Sequence, residues 1–182
     1  MKKILFTAVV TVFGLLNAQS QEIKLGIKGG LNFASVSGNY TAKPETVTAF
    51  NFGVLAEIPI TEKFSFQPEA LFSGQGFAIN KDVVALNYLN IPLMGKYYVT
   101  KGLSLEAGPQ IGFLLSAKQE SVNVKDSFRS LDYGINAGLG YKLDNGLNFG
   151  IRYNVGLSDI SKTTNFNNKN GVAQVSIGYF FL

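Results

Sequence analysis

The chain has 182 residues, the length of one ordinary domain, with 16 Lys and Arg against 12 Asp and Glu and a formal charge of +4. Histidine and cysteine are absent, which excludes Ser-His and Cys-His nucleophilic sites, imidazole or thiolate metal centres, and any disulfide framework. Neither an enzyme nor a cofactor is expected, and the small basic excess implies no nucleic-acid partner.

The N-terminus reads as a leader. Met1-Lys2-Lys3 precedes an apolar run from Ile4 to Leu16, followed by the small residues Ala18 and Ser20, which is the order of a secretory signal peptide. The run is too short for a spanning helix of about 20 residues. Residues 1–18 are therefore expected to be cleaved and residues 19–182 to form the mature domain. Loss of Lys2 and Lys3 leaves 14 basic against 12 acidic residues.

From residue 23 onward the apolar period is two, the period of a strand with unlike faces. Eight segments carry it: Ile23–Phe33, Phe50–Ile60, Phe64–Gly74, Leu89–Val99, Leu103–Leu115, Leu131–Leu143, Leu147–Leu157 and Ala173–Phe181. Their 49 apolar-parity positions hold no Asp, Glu, Lys or Arg, where the 15% charged content would place about seven. The other parity holds Lys28, Glu57, Glu69, Lys96, Glu106, Asp132, Lys142 and Arg152, interleaved with glycines and amides.

The connections between segments alternate in length. Three-residue turns, Thr61–Lys63, Thr100–Gly102 and Asp144–Gly146, join segments two to three, four to five and six to seven. Longer polar stretches, about 35–48, 79–86, 118–129 and 158–170, join the rest. Even strand number, short turns at one end and longer loops at the other predict an all-β fold: an eight-stranded antiparallel up-and-down transmembrane β-barrel in the bacterial outer membrane. Only a closed sheet satisfies its backbone within hydrocarbon.

In that arrangement the apolar parity faces lipid. The eight charged residues named above turn inward, where carboxylates and cations are expected to pair, because an isolated charge in so narrow a lumen is costly. Eight strands leave room for side chains but not for a wide pore. Phe64, Phe66, Tyr97, Tyr141, Phe149, Tyr179 and Phe181 fall at the periplasmic interface as an aromatic girdle. A soluble, lipocalin-like ligand-binding barrel also alternates, with its apolar parity lining a cavity and its charges in water.

YLNIPLMGKYY (88–98), EAGPQIGFLLSAK (106–118), LDYGINAGLGYKL (131–143), RYNVGLSDI (152–160) and VSIGYFF (175–181) resemble the PorT-type outer-membrane β-barrel family common in Bacteroidetes. The resemblance covers most of the mature chain and implies an eight-stranded barrel. It also implies, as an alternative, an accessory role in secretion of surface proteins by a type IX-like system, although most relatives have no assigned activity. Such barrels often end in an aromatic residue read by the barrel assembly machinery. Here Leu182 is last, and Tyr179 and Phe181 are expected to serve as that C-terminal signal. The expected partners are outer-membrane lipid and lipopolysaccharide, the assembly machinery during insertion, and a surface or secretion partner at the loops.

Overall fold

The computed structural model describes residues 23–38, 44–80, 82–162 and 168–181; the expected leader lies outside them. Eight long strands follow in order: β1 (Lys24–Ser37), β2 (Glu45–Pro59), β3 (Phe64–Ile79), β4 (Asp82–Tyr98), β5 (Leu103–Gln119), β6 (Leu131–Lys142), β7 (Leu147–Gly156) and β8 (Lys169–Phe181). Each pairs antiparallel with the next, and β8 closes the ring against β1 through unbroken pairs from Leu25↔Phe181 to Ser37↔Lys169. Closure leaves none of the eight long strands as a sheet edge, so no disulfide or metal is required to finish the fold.

At the short-turn end the hairpins follow from local chemistry. Ile60, Val99 and Leu143 each donate a backbone hydrogen bond across a three-residue loop, to Phe64, Leu103 and Leu147 respectively. Gly102 (φ 91°) and Gly146 (φ 90°) take the left-handed position that side chains avoid. In the remaining turn the Thr61 hydroxyl accepts from the Lys63 and Phe64 amides. Lys101 and Asp144 bridge two of these turns in full solvent at 2.8 Å. That hydrogen bond holds the Lys101 ammonium above the ordinary lysine range, but a pair so exposed contributes little stability.

The two faces of the wall settle which solvent lies where. Leu25, Phe50, Phe52 and Val54 are 57–71% exposed, whereas Glu57, Glu69 and Lys96 are buried. Leu89 and Leu93 point outward, and Arg152 is 8% exposed. A soluble protein does not leave an apolar surface of this extent open to water. The lipocalin-like arrangement, with an apolar interior and a charged exterior, is the reverse of what is found through the lower two thirds of the barrel.

Two expectations about the loop end need correction. The stretch 79–86 is not a long loop: β3 runs to Ile79 and β4 starts at Asp82, with Val84, Ala85 and Leu86 paired to β3. β2 likewise begins at Glu45 rather than Phe50. The wall is therefore tall over β2–β5, at 15 to 17 residues per strand, and low over β6 and β7, at 12 and 10.

Where β1 and the tall strands approach the loop end, the inward face changes character. Inward positions become Ala34, Val36, Phe77, Val84, Leu86, Tyr88, Leu114 and Ala117, all buried. Ser37 and Thr48 are exposed, and Asn87 bonds Ser116 on the outer face. The physical reason is the change of solvent. Above the hydrocarbon the exterior is wet, and an apolar interior is again the stable choice.

Three prolines sit inside consecutive strands: Pro68 in β3, Pro92 in β4 and Pro109 in β5. Pairing lapses beside each. The β2–β3 register skips from Leu55↔Glu69 to Ile58↔Phe66, β3–β4 from Pro68↔Leu93 to Leu71↔Asn90, and β4–β5 from Pro92↔Gln110 to Gly95↔Ala107. A proline nitrogen carries no hydrogen, so each removes one rung from its ladder.

Candidate functional site

The lumen is filled in layers. At the periplasmic end Glu57 of β2 accepts from Tyr98 Oη at 2.6 Å and from Lys142 Nζ at 2.9 Å on both oxygens. The Lys96 and Lys142 ammonium groups lie 5.0–5.7 Å from the ring centroids of Tyr98 and Phe180, within range of cation–π attraction. Phe180, 1% exposed, closes the floor.

Above it lies the charged belt. Arg152 of β7 reaches across the lumen and forks onto Glu69 of β3, Nη2 to Oε1 at 2.8 Å and Nη1 to Oε2 at 3.0 Å, while Nη2 also donates to Glu106 at 3.2 Å. Lys28 donates to Glu69 at 3.0 Å, Lys96 lies 3.3 Å from Glu106, and Gln67 bridges Lys96 to Glu69. Four cations (Lys28, Lys96, Lys142, Arg152) thus share three carboxylates (Glu57, Glu69, Glu106), each carboxylate meeting at least two of them. The Arg152 fork is the geometry that best matches a carboxylate.

Asp132 does not join this belt. It sits near the start of β6, above the amide layer, and accepts from Ser158 Oγ at 2.6 Å and Asn170 Nδ2 at 2.8 Å. Neutral hydrogen bonds replace the cation expected for it, because the inward cations all lie nearer the periplasmic end.

Between belt and mouth is a layer of amides. Asn32 donates to Ser73 and Gly74 and accepts from Asn51 and Gln174; Asn154, Asn136 and Gln110 continue the chain on the far wall. The voids left in the belt and the amide layer measure about 20 and 10 Å³, room for a single water each.

The top layer is apolar and was not expected. Val36 of β1 and Phe77, Val84, Leu86, Tyr88, Leu114 and Ala117 of the tall wall meet Ile160, which the segment after β7 folds inward until it is wholly buried. Val124 and Phe128, around the 3₁₀ turn Lys125–Ser127, pack against this cluster, and Phe128 bridges to Ser161. Ile160→Val removes one methylene from this packing. It is expected to cost about 0.5–1.5 kcal/mol, read as a lower denaturant midpoint of the detergent-solubilised barrel.

Two residues that matter to the floor, Tyr98 and Phe180, also escaped the sequence reading. Both stand on the wet parity of their strands, beside Lys96 and Gly178, and that was the available signal. The seven girdle residues face outward at the short-turn end: Tyr97, Tyr141, Phe149, Tyr179 and Phe181 are 40–52% exposed, Phe64 39%, and Phe66 half-buried. Tyr179 and Phe181 meet edge to face at 5.8 Å.

The sequence that builds this barrel matches the family model of the outer membrane protein beta-barrel domain over residues 17–162. The chain belongs to that family. As a member of the outer membrane β-barrel family it is integral to the outer membrane. Among solved structures it is similar to Neisserial surface protein A (TM-score 0.61, 11% identity, covering 88% of this chain and 100% of that one). It is also similar to Ail, the attachment invasion locus protein of Yersinia pestis (0.55, 15%, 88% and 99%), and to OprG of Pseudomonas aeruginosa (0.51, 15%, 88% and 97%). At these identities the likeness is one of fold. No curated protein matches the chain.

Proposed function

We propose that this barrel works from its outer face, as a small structural or surface-interaction component of the outer membrane, and passes no solute along its axis. The observation that carries this reading is the filled lumen: an aromatic floor, an ionic belt, an amide layer and an apolar lid succeed one another, with voids no larger than about 20 Å³ in the belt and amide layer. Lys118, Lys125, Arg129, Lys162 and Lys169 stand on the loops and strand ends at the outer rim, suited to the phosphates of lipopolysaccharide or to an acidic partner. Catalysis forms no part of this reading. Tyr179 and Phe181 serve as the signal read during assembly, and the aromatic girdle fixes depth in the bilayer.

Planar bilayers and whole-cell labelling test it together. The purified barrel is expected to give no conductance steps above the bare bilayer. A maleimide that does not cross the membrane is expected to label Asp126→Cys on intact cells and Lys101→Cys only after permeabilisation. Stable conductance steps would sink the closed-lumen reading. The second role, accessory to type IX-like secretion, draws support from the PorT-type resemblance. Loss of surface-protein secretion on deletion, restored by the wild-type chain, would move the assignment there.

A further inference from the structure

At the loop end, between the β3–β4 hairpin and the 3₁₀ turn that follows β5, the barrel opens into a cavity of about 480 Å³. That size lies within the range of roughly 300–1,000 Å³ typical of small-molecule sites. Phe77, Ile79, Val84, Val124 and Phe128 supply its apolar lining. Asn168 also lines it, and this residue differs from the other polar groups around the rim. It is 7% exposed, and its side-chain Oδ1 is buried without a hydrogen-bond donor.

Asn168 is held from behind. Its amide donates to Asp159 Oδ1 at 3.0 Å and its carbonyl accepts from the Ile160 amide at 2.8 Å. The same Asp159 oxygen accepts from the Ser161 amide at 3.0 Å. The Asn168 backbone is thus fixed by two hydrogen bonds, one of them to a carboxylate that Ser161 also holds, while the side-chain acceptor is left unmatched. A buried acceptor in that state is costly to the protein alone and is relieved by a partner that donates to it.

We propose that this cavity binds a small uncharged amphiphile, an aromatic or short aliphatic body carrying one hydroxyl or N–H donor. The body lies against Phe77, Val84, Val124 and Phe128, and the donor bonds Asn168 Oδ1. No Lys or Arg is among the described lining residues, and Asp82 stands exposed at the rim, so an anion is disfavoured. The buried acceptor is an amide rather than a carboxylate, so a neutral donor suffices. Directly below lie Leu86, Tyr88, Leu114 and Ala117, then the amide layer. The site therefore retains its ligand at the surface and does not hand it inward. This goes beyond a surface role and stands or falls separately from it.

The test uses the full mature barrel in phospholipid nanodiscs, titrated with 1-naphthol and, separately, 1-methoxynaphthalene, which has the same ring system and no donor. Amide NMR shifts of Ile79, Val84 and Val124 report occupancy, and empty nanodiscs correct for partition into lipid. Saturable one-to-one binding is expected, about tenfold tighter for 1-naphthol, the factor that one hydrogen bond supplies. Asn168→Leu is expected to bring 1-naphthol down to the level of 1-methoxynaphthalene. Val84→Phe fills the cavity and is expected to weaken both at least tenfold. Should that variant lose its boil-dependent gel shift, Val124→Phe, on the segment after β5, takes its place. Absence of saturable binding above empty discs, or an Asn168→Leu barrel that still prefers 1-naphthol tenfold, overturns the proposal.

Discussion

Arg152→Met is expected to lower the unfolding free energy of the barrel by about 3–5 kcal/mol, the range for removing one partner of a buried ion pair. Its guanidinium makes three hydrogen bonds to two buried carboxylates, Glu69 and Glu106. Without it Glu69 keeps only Lys28 and Gln67, and Glu106 keeps Lys96 and Ser104. Arg152→Lys restores the charge but not the fork, and its loss should fall between wild type and Arg152→Met. Removing Glu69 together with Arg152 does not rescue the barrel, because Lys28 then loses the carboxylate 3.0 Å away. Urea titration in detergent micelles, followed by the heat-sensitive gel shift, measures all three. An Arg152→Met midpoint equal to wild type would mean that the belt is hydrated and carries no stability.

Ile151→Arg is expected to cost about 2–4 kcal/mol in a lipid bilayer, and Leu157→Arg only about 0–1 kcal/mol. Ile151 lies midway along β7, 55% exposed and paired with Val175 and Leu139, themselves outward. Leu157 stands one residue past the strand end, at the outer interface. The two changes are chemically the same and differ only in depth. If the surface were wetted by water instead, both would be near neutral. Folding equilibria in phospholipid vesicles separate the cases, and equal small costs at the two positions would contradict a hydrocarbon-facing wall.

Most of the wall was legible in the sequence because period two survives wherever one face meets lipid. Leu89, Ile91 and Leu93 alternate with Asn90 and Lys96, and that contrast reports both the strand and its solvent. The turns were legible for a different reason: an odd loop must return the chain on the same face, and Gly102 and Gly146 stood where a left-handed residue was required.

Apart from Tyr98 and Phe180 at the floor, what alternation leaves unread lies above the membrane. Val84, Leu86 and Tyr88 continue the inward parity of Asn90 and Lys96, but with apolar side chains, so a rule that equates inward with polar reads them as a loop. Near the same level the β4–β5 register shifts between Tyr88↔Leu114 and Asn87↔Ser116, and the buried set passes from Leu114 to Ala117. A bulge of that kind moves every later side chain to the other face, and simple alternation cannot follow it. Ion-pair partners were accessible only as a set. Strand order placed Glu69, Glu106 and Arg152 in one lumen, but which of them touch depends on barrel stagger, which composition does not encode, and Asp132 fell on the wrong side of that stagger.

The three interior prolines give the barrel an uneven wall. In a ring there is no free margin where a missing rung does no harm, and the ladders from β2 to β5 are each cut in two beside a proline, while those on the other side run whole. The join between the first strand and the last, which assembly must make after all the others, has every stitch in place from Leu25 to Ser37. The cask thus carries its cut stitches on the side facing away from its own closure, and the seam made last is whole.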